Sequence, residues 1–227
     1  MKNTNLILKT IICTLFLMYS LTLVCQNKVF TIDVENRNEA IKLNNSATKM
    51  INENKYQEAT SILIKSVKKD SLLCENYVAL FKVAVMSKNT SDSILNCLKK
   101  GQRIYNDDDE VCFFIGEIYR MKGQYKEAVS EYNSAIELSK EIPEKSFYYT
   151  DFFKSRAFCY SKIKNYTQAI LDYNFVLTRK PNDDKSYLNR GICYSNSGKK
   201  SNALIDFKKA LELGNQDAVP LIKTLSK

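Results

Sequence analysis

The sequence predicts an all-α protein in which helical hairpins stack side by side, and three observations carry that expectation. Three segments match one another at a stride of 34 residues with one insertion of seven, and small and aromatic residues recur within each at helical spacing. A hydrophobic content of 44% with only 6 Gly and 3 Pro in 227 residues suits one well-buried domain or a repeat array and excludes collagen-like and disordered classes. The chain also contains no His, which removes Ser/His/Asp triads, Cys/His dyads, His-ligated zinc and a His general base.

The first 25 residues read as an export leader. Lys2 and Lys9 precede the uncharged run Thr10 to Val24, 15 residues long, and polar Gln26, Asn27 and Lys28 follow it. A membrane-spanning helix wants about 20 apolar residues, so the run fits a secretory signal, with an uncleaved anchor and a lipid-modified Cys25 as alternatives. Each places the body outside the cytoplasm: secreted, periplasmic or membrane-anchored. Removing the leader leaves 32 basic against 25 acidic residues, a charge of +7 that attracts acidic surfaces only diffusely. Five cysteines then remain; Cys159 and Cys193, 34 residues apart, fall at one repeat position, so the cysteines are expected to be small buried residues. No CxxC pattern occurs, so neither a zinc ribbon nor a thioredoxin-type site is expected.

Residues 26–39 read as an entry linker, and 40–74 as the first hairpin, with Ala47, Met50, Tyr56, Ala59 and Leu63 at the repeating offsets. Residues 75–108 form a degenerate second unit in which Lys82, Ile94 and Gly101 stand where small residues belong. The third unit, 109–142, sets the pattern: Gly116, Tyr119, Gly123, Ala128, Tyr132 and Ala135. The fourth, 150–183, repeats it as Ala157, Tyr160, Lys164, Ala169, Tyr173 and Val176, and the fifth, 184–217, as Gly191, Tyr194, Gly198, Ala203, Phe207 and Ala210. The interval from Ala169 to Ala203 is 34, and from Ala128 to Ala169 it is 41, so seven extra residues, 143–149, separate the third unit from the fourth. Small residues at 116, 157 and 191 let the first helix of a hairpin approach the second, and the tyrosines three residues later fill the gap. Asn106 to Asp109 and Asn182 to Asp184 read as turns leading into helix N-caps. Residues 218–227 read as a capping helix with Leu221, Ile222 and Leu225 inward.

This pattern resembles the tetratricopeptide repeat (TPR), a helix-turn-helix unit of 34 residues. The resemblance implies a right-handed helical solenoid of about five repeats that acts as a non-catalytic scaffold, holding a peptide or helix in a groove lined by the first helix of each repeat. It places Phe113, Glu117, Arg120 and Met121 in that groove from the third repeat. The fourth contributes Asp151, Lys154, Phe158, Ser161 and Lys162, and the fifth Lys185, Leu188, Asn189, Ile192, Ser195 and Asn196. Lys154, Lys185 and Asn189 half-match the carboxylate-holding set of some family members, but Phe158 stands where an Asn belongs. The aromatic run Phe147, Tyr148, Tyr149, Phe152 and Phe153 is expected to be buried by an early helix start, the alternative being an exposed contact patch.

A protein or peptide is therefore the expected partner, with no cofactor and no metal. Association with a membrane through the N-terminal segment, an anionic polymer as ligand, and self-association through the groove are the alternatives. Nucleic acid is not expected, since only six of the 34 basic residues are Arg.

Overall fold

In the computed structural model, residues 20–25 and 28–225 are described, the side chains from Thr31 onward. They form a β-hairpin followed by eleven α-helices. Strands β1 (Ser20–Cys25) and β2 (Lys28–Asp33) pair antiparallel, with Ser20 opposite Asp33 and Cys25 opposite Lys28. Helix α1 (Val34–Asn52) follows without a break, capped by the Asp33 carboxylate accepting from the Asn36 N–H. The expected linker 26–39 is thus a correction: β2 and the first turn of α1 occupy it, because Asp33 caps a helix six residues ahead of the expected hairpin. Most of the expected leader, residues 1–19, lies outside the described residues. No helix among the described residues is long and apolar enough to cross a membrane.

Two compact units divide at Asn106. In the first, α1 packs on α2 (Tyr56–Lys69), α2 on α3 (Glu75–Ser87), and α3 on α4 (Asp92–Ile104). Ala47, Ala59, Leu63 and Ile94 are fully buried or nearly so. The degenerate second repeat inverts the small-against-aromatic contact: Tyr77 of α3 lies against Gly101 of α4, where an added Cβ would sit 2.9 Å from the ring. A buried polar cluster joins α1, α2 and α3, in which the Asn76 carboxamide oxygen receives the Asn44 amide at 2.9 Å and lies 2.8 Å from the Ser66 hydroxyl.

The second unit contains the sharp repeats. Helices α5 (Asp109–Met121) and α6 (Tyr125–Ser139) form the third, α7 (Tyr149–Lys162) and α8 (Tyr166–Arg179) the fourth, and α9 (Asp184–Asn196) and α10 (Lys200–Glu212) the fifth. Helix α11 (Ala218–Leu225) caps α10, with Leu221, Ile222 and Leu225 packed on the cluster of Ala203, Phe207, Ala210 and Ala218. The N-caps fall where the acidic turns predict, at Asp108 and Asp183. The interhelix turns at Gly123 and Gly198 have φ of 76° and 78°, and Lys164 adopts 62° at the matching place, a left-handed conformation that costs a side-chain-bearing residue more than Gly.

Ala128, Ala169 and Ala203 are all fully buried. An added Cβ at Gly116 would meet Tyr132 at 2.6 Å, and at Gly191 would meet Phe207 at 2.6 Å. A second tie has the same period and uses charge. Arg156 of α7 holds Asp172 of α8 through two N–H bonds of 2.8 and 2.7 Å and reaches Asn133 of α6 at 2.7 Å. Arg190 of α9 repeats this on Asp206 of α10 and Asn174 of α8. Each arginine bonds both helices it lies between, fixing the angle between hairpins as well as their spacing.

The insertion divides its rings. A 3₁₀ turn at Pro143–Lys145 precedes α7, which starts only at Tyr149. Tyr149 and Phe152 are buried, Tyr148 and Phe153 are half-buried, and Phe147 is 81% exposed. The expectation of complete burial thus fails at Phe147, which lies outside the helix and lacks its periodicity. Among the cysteines, Cys112, Cys159 and Cys193 are buried, but Cys74, in the turn ahead of α3, is exposed and Cys97, on α4 of the degenerate repeat, is half-buried, a correction to the expectation that all are buried.

Because Ala203 sits between α9 and α10 with no free space, Ala203→Leu is expected to destabilise the chain by about 1–3 kcal/mol. Thermal unfolding followed by circular dichroism measures this, and an unchanged or raised midpoint would contradict the packing.

Candidate functional site

Three successive first helices of the second unit, α5, α7 and α9, share one face. There they enclose a cleft of about 380 Å³. Arg120 comes from α5, and Lys154, Ser155 and Phe158 from α7. Lys185 and Asn189 come from α9, and Tyr173 of α8 completes the lining from behind. Of the residues predicted for the groove, the structure brings together Arg120, Lys154, Phe158, Lys185 and Asn189. Ser155 and Asn189 are one period of 34 apart, so α7 and α9 present them at similar heights, whereas Arg120, counted across the 41-residue interval, corresponds to Ser161 and reaches the cleft from a different repeat position.

The charges in this cleft are less available than their number suggests. Arg120 forks onto Glu117 with N–H···O distances of 3.1, 3.2 and 2.5 Å. Burial disfavours the Arg120 cation, but the Glu117 carboxylate outweighs that and raises its pKa. Lys154 bonds Asp183 at 2.5 Å. Burial alone would raise the Asp183 pKa, and Lys154 together with the Ser186 N–H overturns this and lowers it. Among the described residues no acid pairs with Lys185, nor with exposed Lys162, whose ammonium lies 5.0 Å from the Phe158 ring centroid. Arg120 lies 5.7 Å from the same centroid, and Tyr125 meets the ring edge-on at 6.2 Å. Phe158 is therefore a half-buried ring with two cations close to it.

The other predicted groove residues are placed differently. Phe113 is only 5% exposed, stacked on Tyr148 at 4.9 Å and packed on Phe152 at 5.2 Å, because rings from the insertion close over it. Glu117 is buried, accepting from the Tyr132 hydroxyl at 2.7 Å as well as from Arg120. Leu188 and Ile192 are partly buried against the α10 and α11 cluster. Met121 and Ser161 are half-buried outside the cleft, Asp151 pairs with Lys180 at 3.2 Å, and Asn196 is exposed.

Sequence reasoning assigned Tyr173 to packing alone. Its ring is fully buried as expected, but it also lines the cleft, and its hydroxyl has no hydrogen-bond partner among the described residues. A signal was present in the sequence: the residue that pairs with the equivalent hydroxyl in the third repeat, Glu117, is replaced by Phe158 in the fourth.

Residues 109–142 and 184–217 match the tetratricopeptide repeat family. Small glutamine-rich tetratricopeptide repeat-containing protein 2 of Saccharomyces cerevisiae is 29% identical over 99 residues, which is 44% of this chain and 27% of that protein. The crystal structure of YrrB, described as a TPR protein with an unusual peptide-binding site, is similar at a TM-score of 0.65 and 19% identity, covering 83% of this chain and 94% of that one. That of MamA is similar at 0.66 and 22%, covering 81% and 94%. These likenesses extend the TPR fold beyond the two matched repeats.

The Asp183 pKa is lowered in the fold, so its ion pair contributes stability above the ordinary value of 3.8 and loses it as pH falls through the lower folded value. Asp183→Asn keeps a cap acceptor but not the charge. Its melting midpoint is expected to lie below that of the parent chain at neutral pH and to converge with it as pH drops below 3.8; a gap constant across that range would contradict the assignment.

Proposed function

From the premise that this chain is built of tetratricopeptide repeats, we propose that it is a non-catalytic interaction module that binds an extended peptide segment of a partner protein across the face of α5, α7 and α9. The observation that carries this reading is the cleft itself: an aromatic ring close to two cations, with Lys185 and Asn189 unpaired among the described residues. An aromatic anchor beside a few oriented polar groups is the usual composition of a peptide-binding hot spot. The similarity to YrrB, described as having a peptide-binding site, supports the same choice.

The partner is a polypeptide rather than an anionic polymer. A polymer binder needs many open cations in register, and here Arg120 and Lys154 are already neutralised by Glu117 and Asp183. The module works outside the cytoplasm, a reading supported by the basic start and uncharged run of residues 2–24. Cleavage before Gln26 would remove β1, leaving β2 unpaired ahead of α1.

Affinity capture with the chain and with a Phe158→Ala, Lys185→Glu double variant tests the groove. The variant is expected to lose the partner while keeping its melting midpoint, since both side chains are at least partly exposed; equal capture by both would refute the reading. Raising salt from 50 to 200 mM is expected to weaken capture only a few-fold, whereas a loss of about 10³-fold or more would indicate a polyanion. Cell fractionation of the full chain beside a variant lacking residues 2–24 checks export: the full chain is expected outside the cytoplasm and the variant within it.

A further inference from the structure

The second helices of the first unit carry a charge pattern that the second unit lacks. On α2 the outward stripe is Gln57, Ser61, Lys65 and Lys68, and on α4 it is Ser93, Asn96, Lys100 and Arg103, all of them exposed. Neither stripe contains an acid. The two are in register: Lys65 and Lys100, like Lys68 and Arg103, are 35 residues apart, the interval that also separates the buried pair Ala59 and Ile94. Helix α2 packs beside α4. Burial raises the Cys97 thiol pKa, and Lys100 and Lys68 act together against it, so cations from both helices reach one place. Among the described residues none of the four cations makes an ion pair, whereas neighbouring Lys69 is held by Glu39 at 2.7 Å. At the matching positions the second unit has Ser134 and Glu137, Phe175 and Thr178, and Lys209 bonded to Glu212. Residues 26–106 hold 13 basic against 8 acidic residues, and residues 107–227 hold 19 against 17.

Helix stability accounts for only half of this pattern. Cations in a last turn complement the helix dipole, which explains Lys68 and Arg103. Lys65 and Lys100 lie ahead of that turn, where the dipole effect has faded. The acids of these helices, Glu58 and Asp92, lie about 10 Å or more from Lys65 and Lys100 toward the N-termini and do not offset them.

We propose that this face of α2 and α4 docks on an anionic phospholipid surface. Packed helices lie about 8–10 Å apart, and Lys65 and Lys68 differ by about 4.5 Å along the axis, so the cations cover an area wider than one phosphate and do not converge on a point. None of the exposed large hydrophobic residues lies on α2 or α4, so the face lacks the apolar centre of a protein interface. Three of the four cations are Lys, compact charges without the fork that reads a phosphate in a fixed orientation. Such a face suits a layer of many anions free to rearrange beneath it, which is what lipid headgroups supply. The same unit follows the uncharged run 10–24, the segment through which membrane association is expected. The face uses none of the residues of the cleft between α5, α7 and α9.

Co-sedimentation of the full chain with vesicles tests this, using phosphatidylcholine alone and phosphatidylcholine mixed with phosphatidylglycerol. Neutral vesicles read whatever the N-terminal run contributes, and the difference between the two lipids reads the patch. Each engaged cation is worth about a fivefold gain, so the parent chain is expected to prefer anionic vesicles by about 100-fold or more. The double variant Lys65→Gln, Lys100→Gln is expected to lose about 25-fold of that preference and to keep its melting midpoint, since both side chains are exposed. Lys200→Gln, Lys208→Gln removes the same charge from exposed sites of the second unit and is expected to change the preference less than about twofold. No preference by the parent chain would overturn the proposal, as would equal losses in the two double variants, which would show a response to net charge alone. Tighter binding to a single-stranded oligonucleotide than to anionic vesicles, with the same dependence on Lys65 and Lys100, would assign the face to nucleic acid and also overturn it. Partner capture through Phe158 and Lys185 is unaffected by any of these outcomes, so the reading of the cleft stands or falls separately.

Discussion

The closeness of the two helices in each hairpin is the constraint on which the rest of this structure depends. Gly116 and Gly191 let a ring from the second helix approach so near the first that a methyl group would not fit. Ala128, Ala169 and Ala203 perform the reciprocal task from the second helix. Short separation brings many atoms of both helices into dispersion contact and excludes water from a thin layer that has no other source of burial. A hairpin alone leaves one face of that layer open, so each needs its neighbour, and α11 ends the series by covering the last exposed face.

Spacing alone would permit hairpins to swivel, and the Arg156 and Arg190 ties prevent it. Each guanidinium is mostly buried and holds its aspartate through a bidentate fork while bonding an asparagine on the preceding hairpin. Removal of either arginine would leave a carboxylate in a dry interface, so the arrangement tolerates little change. The same economy of charge shapes the cleft. Arg120 and Lys154 are internally neutralised, so among the cations lining the cleft Lys185 alone lacks an acidic partner among the described residues.

Much of the architecture was legible in the chain because it depends on residue size at a fixed stride. The repeats, the interhelix turns including the strained Lys164, the N-caps at Asp108 and Asp183, and the inward face of α11 all follow from local rules. The groove was only half legible. Lys154, Phe158, Lys185 and Asn189 do line one cleft, but Phe113 was assigned to it without knowledge that Tyr148 and Phe152 would fold back over it. The hairpin β1–β2 and the early start of α1 escaped notice because no repeat position marks them.

The sequence by itself determined that helical hairpins recur, where they begin and end in the well-formed repeats, and which small residues lie between them, since periodic volume is a property of the string. Only the tertiary structure decided which polar groups satisfy one another. Glu117 meets Arg120 and Tyr132, Lys154 meets Asp183, and the Tyr173 hydroxyl meets no partner among the described residues, because hydrogen bonds depend on where side chains from different helices converge and one substitution, Glu to Phe between repeats, changes the outcome.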